Sequence, residues 1–428
     1  SKIMAGKLPN WNLRDFYESY EDKKIYDDLI LYKEFVNKFS QKYKGRLLSF
    51  YQNFDDVIKE FEKGSEVSVK LECYAFLLYA TNMNDDKIVQ FYQKINEEIT
   101  EITGDLIFFT NSINSLNDKD FDKLVSNSDK FKNWLINIRR FSVHQLDEKS
   151  ERILLDKNIT ANSSWVRFFE ENINQLKFLI DDKEVNSSEA LNLLSDKNAK
   201  VRKNAAISIG STFKEHAKTF TFITNTLAKD KITNDKWRNY IDPVQSRNLA
   251  NNVEGEVVDA LSLSVQNHYS KISHRYYELK SKIFQKDKLD FWDRNAPYPD
   301  SSNKMIPWEE AKEIVIKSYG EFDQRLKDIV LMFFNKNWID AELKAGKNPG
   351  AFSASTIPSV HPYILTNYHG KTRDVIEIQK NLAEKEVVSI SKKNTKVSKS
   401  LTDKKVAKII FVKNKIINYL IKKKFKIL

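Results

Sequence analysis

The sequence predicts a mainly α-helical protein, and three observations carry that prediction. Turn-forming residues are scarce, with 10 Gly and 8 Pro among 428 residues, so few sharp reversals can be built. Apolar residues recur every three or four positions through most of the chain, the period of a helix with one buried face. Short β-favouring runs occur in only two places, near residues 176–185 and 351–368. A chain this long can bury a sizeable core, and its length suggests about three domain-sized units.

The opening NWNLRDFYESYEDKKIYDDLILYKEFVNKF reads as a capped start followed by a long helix, with Leu29, Leu31, Tyr32, Phe35, Val36 and Phe39 at helical spacing. YQNFDDVIKEFEKG predicts a second helix ending at Gly64. In SVKLECYAFLLYATNMN, residues Leu71, Tyr74, Leu77 and Leu78 share one side. KIVQFYQKINEEITEITGDLIFFTNSINSL is another long amphipathic helix. These aromatic stripes read as core. Leu176–Ile180 and Glu184–Val185 predict a hairpin turning at Asp181–Lys183. Asn186 with Glu189 three residues on predicts a reciprocal helix cap. Asp-x-x-x-x-Val-Arg at SDKNAKVR suggests one helical repeat unit, but no second copy follows at the required period. Val257, Val258, Leu261, Val265 and Tyr269 mark one face of a further helix. His268 and His274 are six apart, a poor spacing for a metal pair. FWDRNAPYPDSSNKM is a turn-rich linker. Beyond it, apolar spacing predicts one helix over residues 307–334, with Pro307 at its first position.

Charge is unevenly spread. The chain holds 70 basic and 59 acidic residues. Residues 376–428 contain 15 lysines and four acids, so residues 1–375 carry 55 of each sign and are neutral. A polyanion partner is therefore excluded for the body, and only the tail could serve one. A single cysteine, Cys73, allows no internal disulfide and predicts a reducing compartment. The opening shows no secretory pattern, and no stretch has the apolar length of a membrane span. A soluble, cytoplasmic protein is expected.

The runs WNLRDFY, LECYAFLLY, KVRKNAA, WRNYIDPVQSRN, ELKSKIF, WDRNAPYP, NKNWIDAE and GKNPGAFSAST…VHPYILTNYHGKTRDV follow one another in a fixed order. This series resembles oligoendopeptidase F and its relatives, the zinc oligopeptidases of the thimet type, over residues 11–375. The resemblance implies an almost wholly helical, two-lobed fold. A small β-sheet would lie at a deep cleft that admits short peptides. It implies an N-terminal helical lobe over residues 1–190 and the first part of a peptidase domain over 191–375. Residues 376–428 then form a lysine-rich, aberrant tail. The runs Ala351–Ile357 and Val360–Tyr368 would supply the sheet, whose edge can bind an extended peptide through its backbone. Gly350, Ala351, Phe352 and Ser353 are the candidate peptide contacts, with His361 and Tyr363 in the next strand as further candidates. A purely structural strand role fits Gly350, Ala351, Phe352 and Ser353 equally well, and the resemblance allows His361 either a substrate or a structural role.

Zinc hydrolysis needs two helix-borne His one turn apart, a Glu base beside the first, and a further acidic ligand. The resemblance places that H-E-x-x-H near residues 380–384, which here are Lys380, Asn381, Leu382, Ala383 and Glu384. None of the six histidines begins the motif, and the last is His369. No catalytic residue and no metal ligand are assigned, although zinc is expected for an intact family member. The expectation is a truncated oligoendopeptidase F-like chain, inactive alone, with the C-terminal half of its catalytic domain missing. A non-catalytic peptide-binding module, or one half of a split enzyme completed by a complementing half, are the alternatives. Two readings of the tail compete. KKVAKIIFVKNKIINYLIKKKFKIL suits a basic amphipathic helix for an anionic membrane or nucleic acid. Its Lys, Asn, Ile and Phe bias also suits a shifted reading frame, the reading preferred at this point.

Overall fold

The computed structural model describes residues 6–299, 301, 304–393, 406–412 and 416–421, with side chains through residue 382. It is mainly helical, and the chain divides into two compact units. The larger comprises Phe16–Ser302 and Ala345–Asn348; the other comprises Ser1–Asp15, Asn303–Lys344 and Pro349–Leu428.

The larger unit opens with α1 (Lys23–Tyr43), which starts where the Asp22 side chain accepts the Lys24 N–H. Its buried residues are Ile25, Leu29, Tyr32, Val36, Phe39 and Tyr43, a stripe at alternating spacings of four and three. Leu31 falls off that stripe and is exposed, contrary to the reading above. Helix α2 (Phe54–Ala80) runs straight through Gly64, where an end was expected. The reason is packing. A Cβ on residue 64 would lie 2.2 Å from the Phe35 ring of α1, so the glycine admits the neighbouring helix. Helices α3 (Asp86–Thr103) and α4 (Ile107–Asn114) complete this core. The Phe39 ring meets Phe109 of α4 edge-on at 5.2 Å, and Phe61 meets Phe109 at 4.6 Å.

Short helices α5 (Asp118–Ser126), α6 (Lys132–Arg139), α7 (Glu148–Asn158) and α8 (Asn162–Gln175) lead to the hairpin of β1 (Phe178–Ile180) and β2 (Lys183–Val185). Asp181 and Asp182 both have positive φ, as a two-residue hairpin turn of this hand requires. The reciprocal cap is present: Glu189 N–H donates to Asn186 Oδ1 at 2.9 Å, and Asn186 N–H to Glu189 Oε2 at 3.2 Å. It starts α9 (Ser187–Leu193), which α10 (Ala199–Glu215) follows. Leu176, Phe178, Ile180, Ala190 and Ala205 form one buried cluster. The boundary expected at residue 190 therefore falls inside this cluster and inside the larger unit. The unit ends with α11 (Ala217–Trp237), α12 (Gln245–Ala250), α13 (Gly255–Asn267), a π-turn at Ser270–His274 and α14 (Arg275–Ile283).

The second unit has two helices where one was expected over residues 307–334. Helix α15 (Trp308–Phe322) stops at Asp323, which is extended and accepts the Arg325 N–H at 2.8 Å to start α16 (Gln324–Asn335). That side-chain cap competes with continued helix. Pro307 precedes the first helical residue rather than occupying it. Strands β3 (Ile339–Asp340), β4 (Phe352–Ala354) and β5 (Tyr363–Leu365) form a sheet in the order β3-β5-β4, parallel then antiparallel. Helix α17 (Thr372–Lys393) follows. Val406–Val412 (β6) and Ile416–Ile421 (β7) pair antiparallel. This corrects the amphipathic-helix reading of the tail, because VAKIIFV and IINYLI are rich in β-branched residues that favour strands. The rest of the tail lies outside the described residues. Among those described, no helix is long and apolar enough to cross a membrane.

Candidate functional site

The sheet of the second unit brings the candidate residues together. Its centre is β5, where Tyr363, Ile364 and Leu365 are fully buried. The hydrogen-bond directions follow from two backbone contacts. Ile364 N–H donates to the Trp338 carbonyl and Thr366 N–H to the Asp340 carbonyl, each at 2.9 Å. Ile364 and Thr366 therefore face β3, and by alternation Tyr363 and Leu365 face β4. Their partners in register are Ala354 and Phe352, while Ser353 sits opposite Ile364. Ser353 is thus at a non-hydrogen-bonded position, and its N–H and C=O point outward from the sheet. Strand β4 is terminal in the sheet order, and the Ser353 side chain is exposed.

Within the strand, Phe352 turns inward toward β5. The Gly350 carbonyl, just before the strand, accepts the Asn367 side-chain N–H at 2.9 Å. The Phe352 ring packs 6.4 Å from Trp11. Tyr363 is buried; its hydroxyl donates to the Asn12 carbonyl at 2.7 Å, and burial pushes its phenol well above the ordinary value. His361 is equally committed. Its ring stacks on Trp338 at 3.6 Å, and Nε2 lies 2.6 Å from an Asp15 carboxylate oxygen. The Thr356 hydroxyl donates to its carbonyl at 2.8 Å. His361 and Tyr363 thus hold the N-terminal segment 11–15 against the sheet. Strand β3, which the sequence reading missed, is two residues long and gains its identity only by pairing with β5.

Helix α17 begins from a fixed turn. Gly370 has φ +82°, and a Cβ there would meet Met305 Cγ at 2.4 Å. The Asp374 carboxylate accepts the His369 and Lys371 N–H groups at 2.9 and 3.0 Å. The Tyr319 hydroxyl of α15 donates to the Gln379 carbonyl at 2.6 Å. Val375, Ile378 and Leu382 are buried, and Lys380 is exposed. The helix stands where the resemblance put the zinc motif, but its donors do not suit zinc. Lys380 is a cation, and the Asn381 amide cannot act as a base. Among the described residues, no three His, Cys, Asp or Glu side chains are grouped as a metal ion would need.

A sequence profile described as Oligopeptidase F matches residues 112–178. Oligopeptidase PepF of Bacillus subtilis (strain 168) is 23% identical over 382 residues, covering 86% of this chain and 56% of the relative. The solved structure of PZ peptidase A with an inhibitor superposes with a TM-score of 0.69 at 14% identity, covering 87% of this chain and 64% of that one. The chain spans less than two thirds of these relatives' length. A different likeness is local. Leucine–tRNA ligase of Malacoplasma penetrans is 43% identical over 59 residues, 14% of this chain and 7% of the relative.

Proposed function

We propose that this chain, a relative of the oligoendopeptidase F family, holds short extended peptides along β4 and does not by itself hydrolyse them with zinc. The outward backbone of Ser353 carries this reading. A terminal strand with N–H and C=O directed away from its neighbour can add a peptide as a further strand, which gives affinity without demanding one sequence. Hydrolysis has no support among the residues, because α17 offers Lys380 and Asn381 where a ligand and base are needed. A separate polypeptide bearing H-E-x-x-H would be needed to restore it. The lone Cys73 suits a reducing compartment such as the cytoplasm. Labelled peptides of about 5–15 residues should bind saturably, with the same affinity in a chelator. A quenched peptide should stay uncleaved when zinc is added. Chelator-sensitive cleavage would overturn the inactive reading, and absence of any binding would overturn the peptide-binding one.

A second reading concerns the tail alone. The PepF match takes up 86% of the chain, and the tRNA-ligase likenesses take up 14–17%, about the size of the part it leaves. We assign the tRNA-ligase likeness to the C-terminal residues, where the oligopeptidase resemblance ends. Such a likeness argues against a shifted frame, whose product would resemble no protein. The 15 lysines of residues 376–428 supply the charge that RNA phosphates attract. Full-length chain should bind labelled transfer RNA with an affinity that falls as salt rises. The triple variant Lys404→Gln, Lys405→Gln, Lys408→Gln should bind more weakly with a shallower salt slope. Equal binding by that variant would refute the reading.

A further inference from the structure

We propose that the larger unit binds a small neutral primary amide in a cavity of about 340 Å³ bounded by α4, α6, α7 and the segment 238–240. That volume is at the lower end for ligand sites. Backbone carbonyls fix the orientation of three side chains in its lining. A carbonyl oxygen only accepts, so whatever side-chain atom faces it must be a donor. Gln145 Nε2 therefore faces the Asn111 carbonyl, at 3.1 Å. This turns Gln145 Oε1 toward Asn114, which answers with its own Nδ2, also at 3.1 Å. Asn114 Oδ1 is left over. It is buried and unpaired, and of such side-chain atoms among the described residues it is the one in the lining of this cavity. Asn111 Nδ2 is likewise spent on the Leu146 carbonyl at 3.2 Å, which leaves its Oδ1. His144 Nδ1 lies 2.7 Å from the Arg238 carbonyl and so carries the ring proton, which makes Nε2 of the neutral ring an acceptor. His144 is only 7% exposed, and its ring stacks on Tyr240 at 4.1 Å.

Three side chains of one cavity thus have their donors spent and their acceptors unspent. A buried acceptor without a donor costs free energy that a ligand N–H recovers. Charge excludes ionic ligands. Arg238 Nη1 and Nη2 donate to the two Glu151 carboxylate oxygens at 2.7 and 2.8 Å, so the cavity's ion pair neutralises itself. An ammonium would enter without a counter-ion, and a carboxylate would set oxygen against the Asn oxygens. Ile107, Ile138, Phe141 and Leu155 supply apolar wall, against which the hydroxyls of a polyol would go unpaired. A primary amide brings two N–H groups on one nitrogen for these acceptors. Its own oxygen can accept from the Thr110 or Tyr240 hydroxyl, both in the lining. Burial raises the Tyr240 phenol above its ordinary value, so it keeps its proton at neutral pH.

Ligand-observed NMR on the full chain tests this with four probes built on one ring. Benzamide should bind saturably, with a dissociation constant on the order of 1 mM for so small a ligand. Acetophenone replaces the amide NH2 by a methyl group and should bind at least about tenfold more weakly. Benzoate and benzylammonium should also bind more weakly than benzamide. Asn114→Leu should weaken benzamide about tenfold while leaving the helical circular dichroism unchanged. His144→Phe keeps a ring on Tyr240 and should weaken benzamide without weakening acetophenone. Absence of saturable benzamide binding up to about 10 mM would overturn the proposal and leave a cavity that holds water only. Equal binding of acetophenone by the wild-type chain would overturn it without any variant. So would tighter binding of either ion, or a benzamide affinity unchanged in both variants.

Discussion

Asp293→Ala is expected to lower the unfolding free energy by about 3–5 kcal/mol, the range for leaving a buried charge without its partner. Asp293 is fully buried and accepts from Arg202 Nη2 at 2.8 Å and Lys286 Nζ at 2.5 Å. Arg202 is itself buried; its Nη1 donates to the Asp196 and Lys197 carbonyls, while its Nε has no partner. Lys280 is buried close by, and burial followed by the Arg202 charge depresses its pKa. Lys286 also pairs with Asp290 at 2.8 Å, but Asp293 is the carboxylate that the buried Arg202 pairs with, and removing it strands that guanidinium. The expected result is a lower urea midpoint with little change in slope. The double variant Arg202→Met, Asp293→Leu should recover part of the loss, because a well-packed apolar pair avoids the desolvation penalty.

The same carboxylate sets a pH dependence. Burial alone would raise its pKa, but the Lys286 and Arg202 hydrogen bonds outweigh that and hold it below 3.8. A depressed acid contributes stability that is fully present above its unfolded value and is lost as pH falls through the folded one. The wild-type chain should thus lose stability below about pH 3.8 more steeply than Asp293→Ala. Parallel acid-limb slopes in urea melts would contradict this.

How far the sequence reaches depends on how far apart the partners are. The hairpin at 178–185 and the Asn186–Glu189 cap were legible because each is closed by residues a few positions apart. Arg202 was visible only as part of KVRKNAA, since its partner Asp293 lies 91 residues on. Gly64 carried the ordinary signal for a helix end, and the opposing signal, the Phe35 ring, belongs to another helix. The break at Asp323 was hidden because apolar spacing continued across it, and one side-chain cap outweighed the pattern. Periodicity placed α13 correctly but could not say whether its stripe was covered. At the site, residue identities brought attention to 350–353, yet which of them offers backbone outward is a property of register. One position of shift would exchange the roles of Phe352 and Ser353.

That register makes Ser353→Pro the decisive substitution for the peptide-binding reading. Proline removes the residue's N–H and fixes φ near −65°. At Phe352 or Ala354 it would cut the ladder to β5 and damage the sheet. At Ser353 the N–H faces away from β5, so the sheet keeps its hydrogen bonds while the incoming strand loses its donor. One main-chain hydrogen bond contributes about 0.5–1.5 kcal/mol, and the ring also obstructs the approaching backbone. The affinity for an extended peptide should fall about tenfold, with the melting curve nearly unchanged. Ser353→Ala keeps the N–H and should bind as the wild type does. Equal binding by the proline variant would move the peptide away from β4. A fall shared by the alanine variant would mean that the hydroxyl, and not the backbone, makes the contact. Within the β3-β5-β4 sheet, β4 is the strand to probe this way. Strand β5 is enclosed on both sides, and both residues of β3 are buried, so within this sheet β4 is the strand that combines a terminal position with exposure.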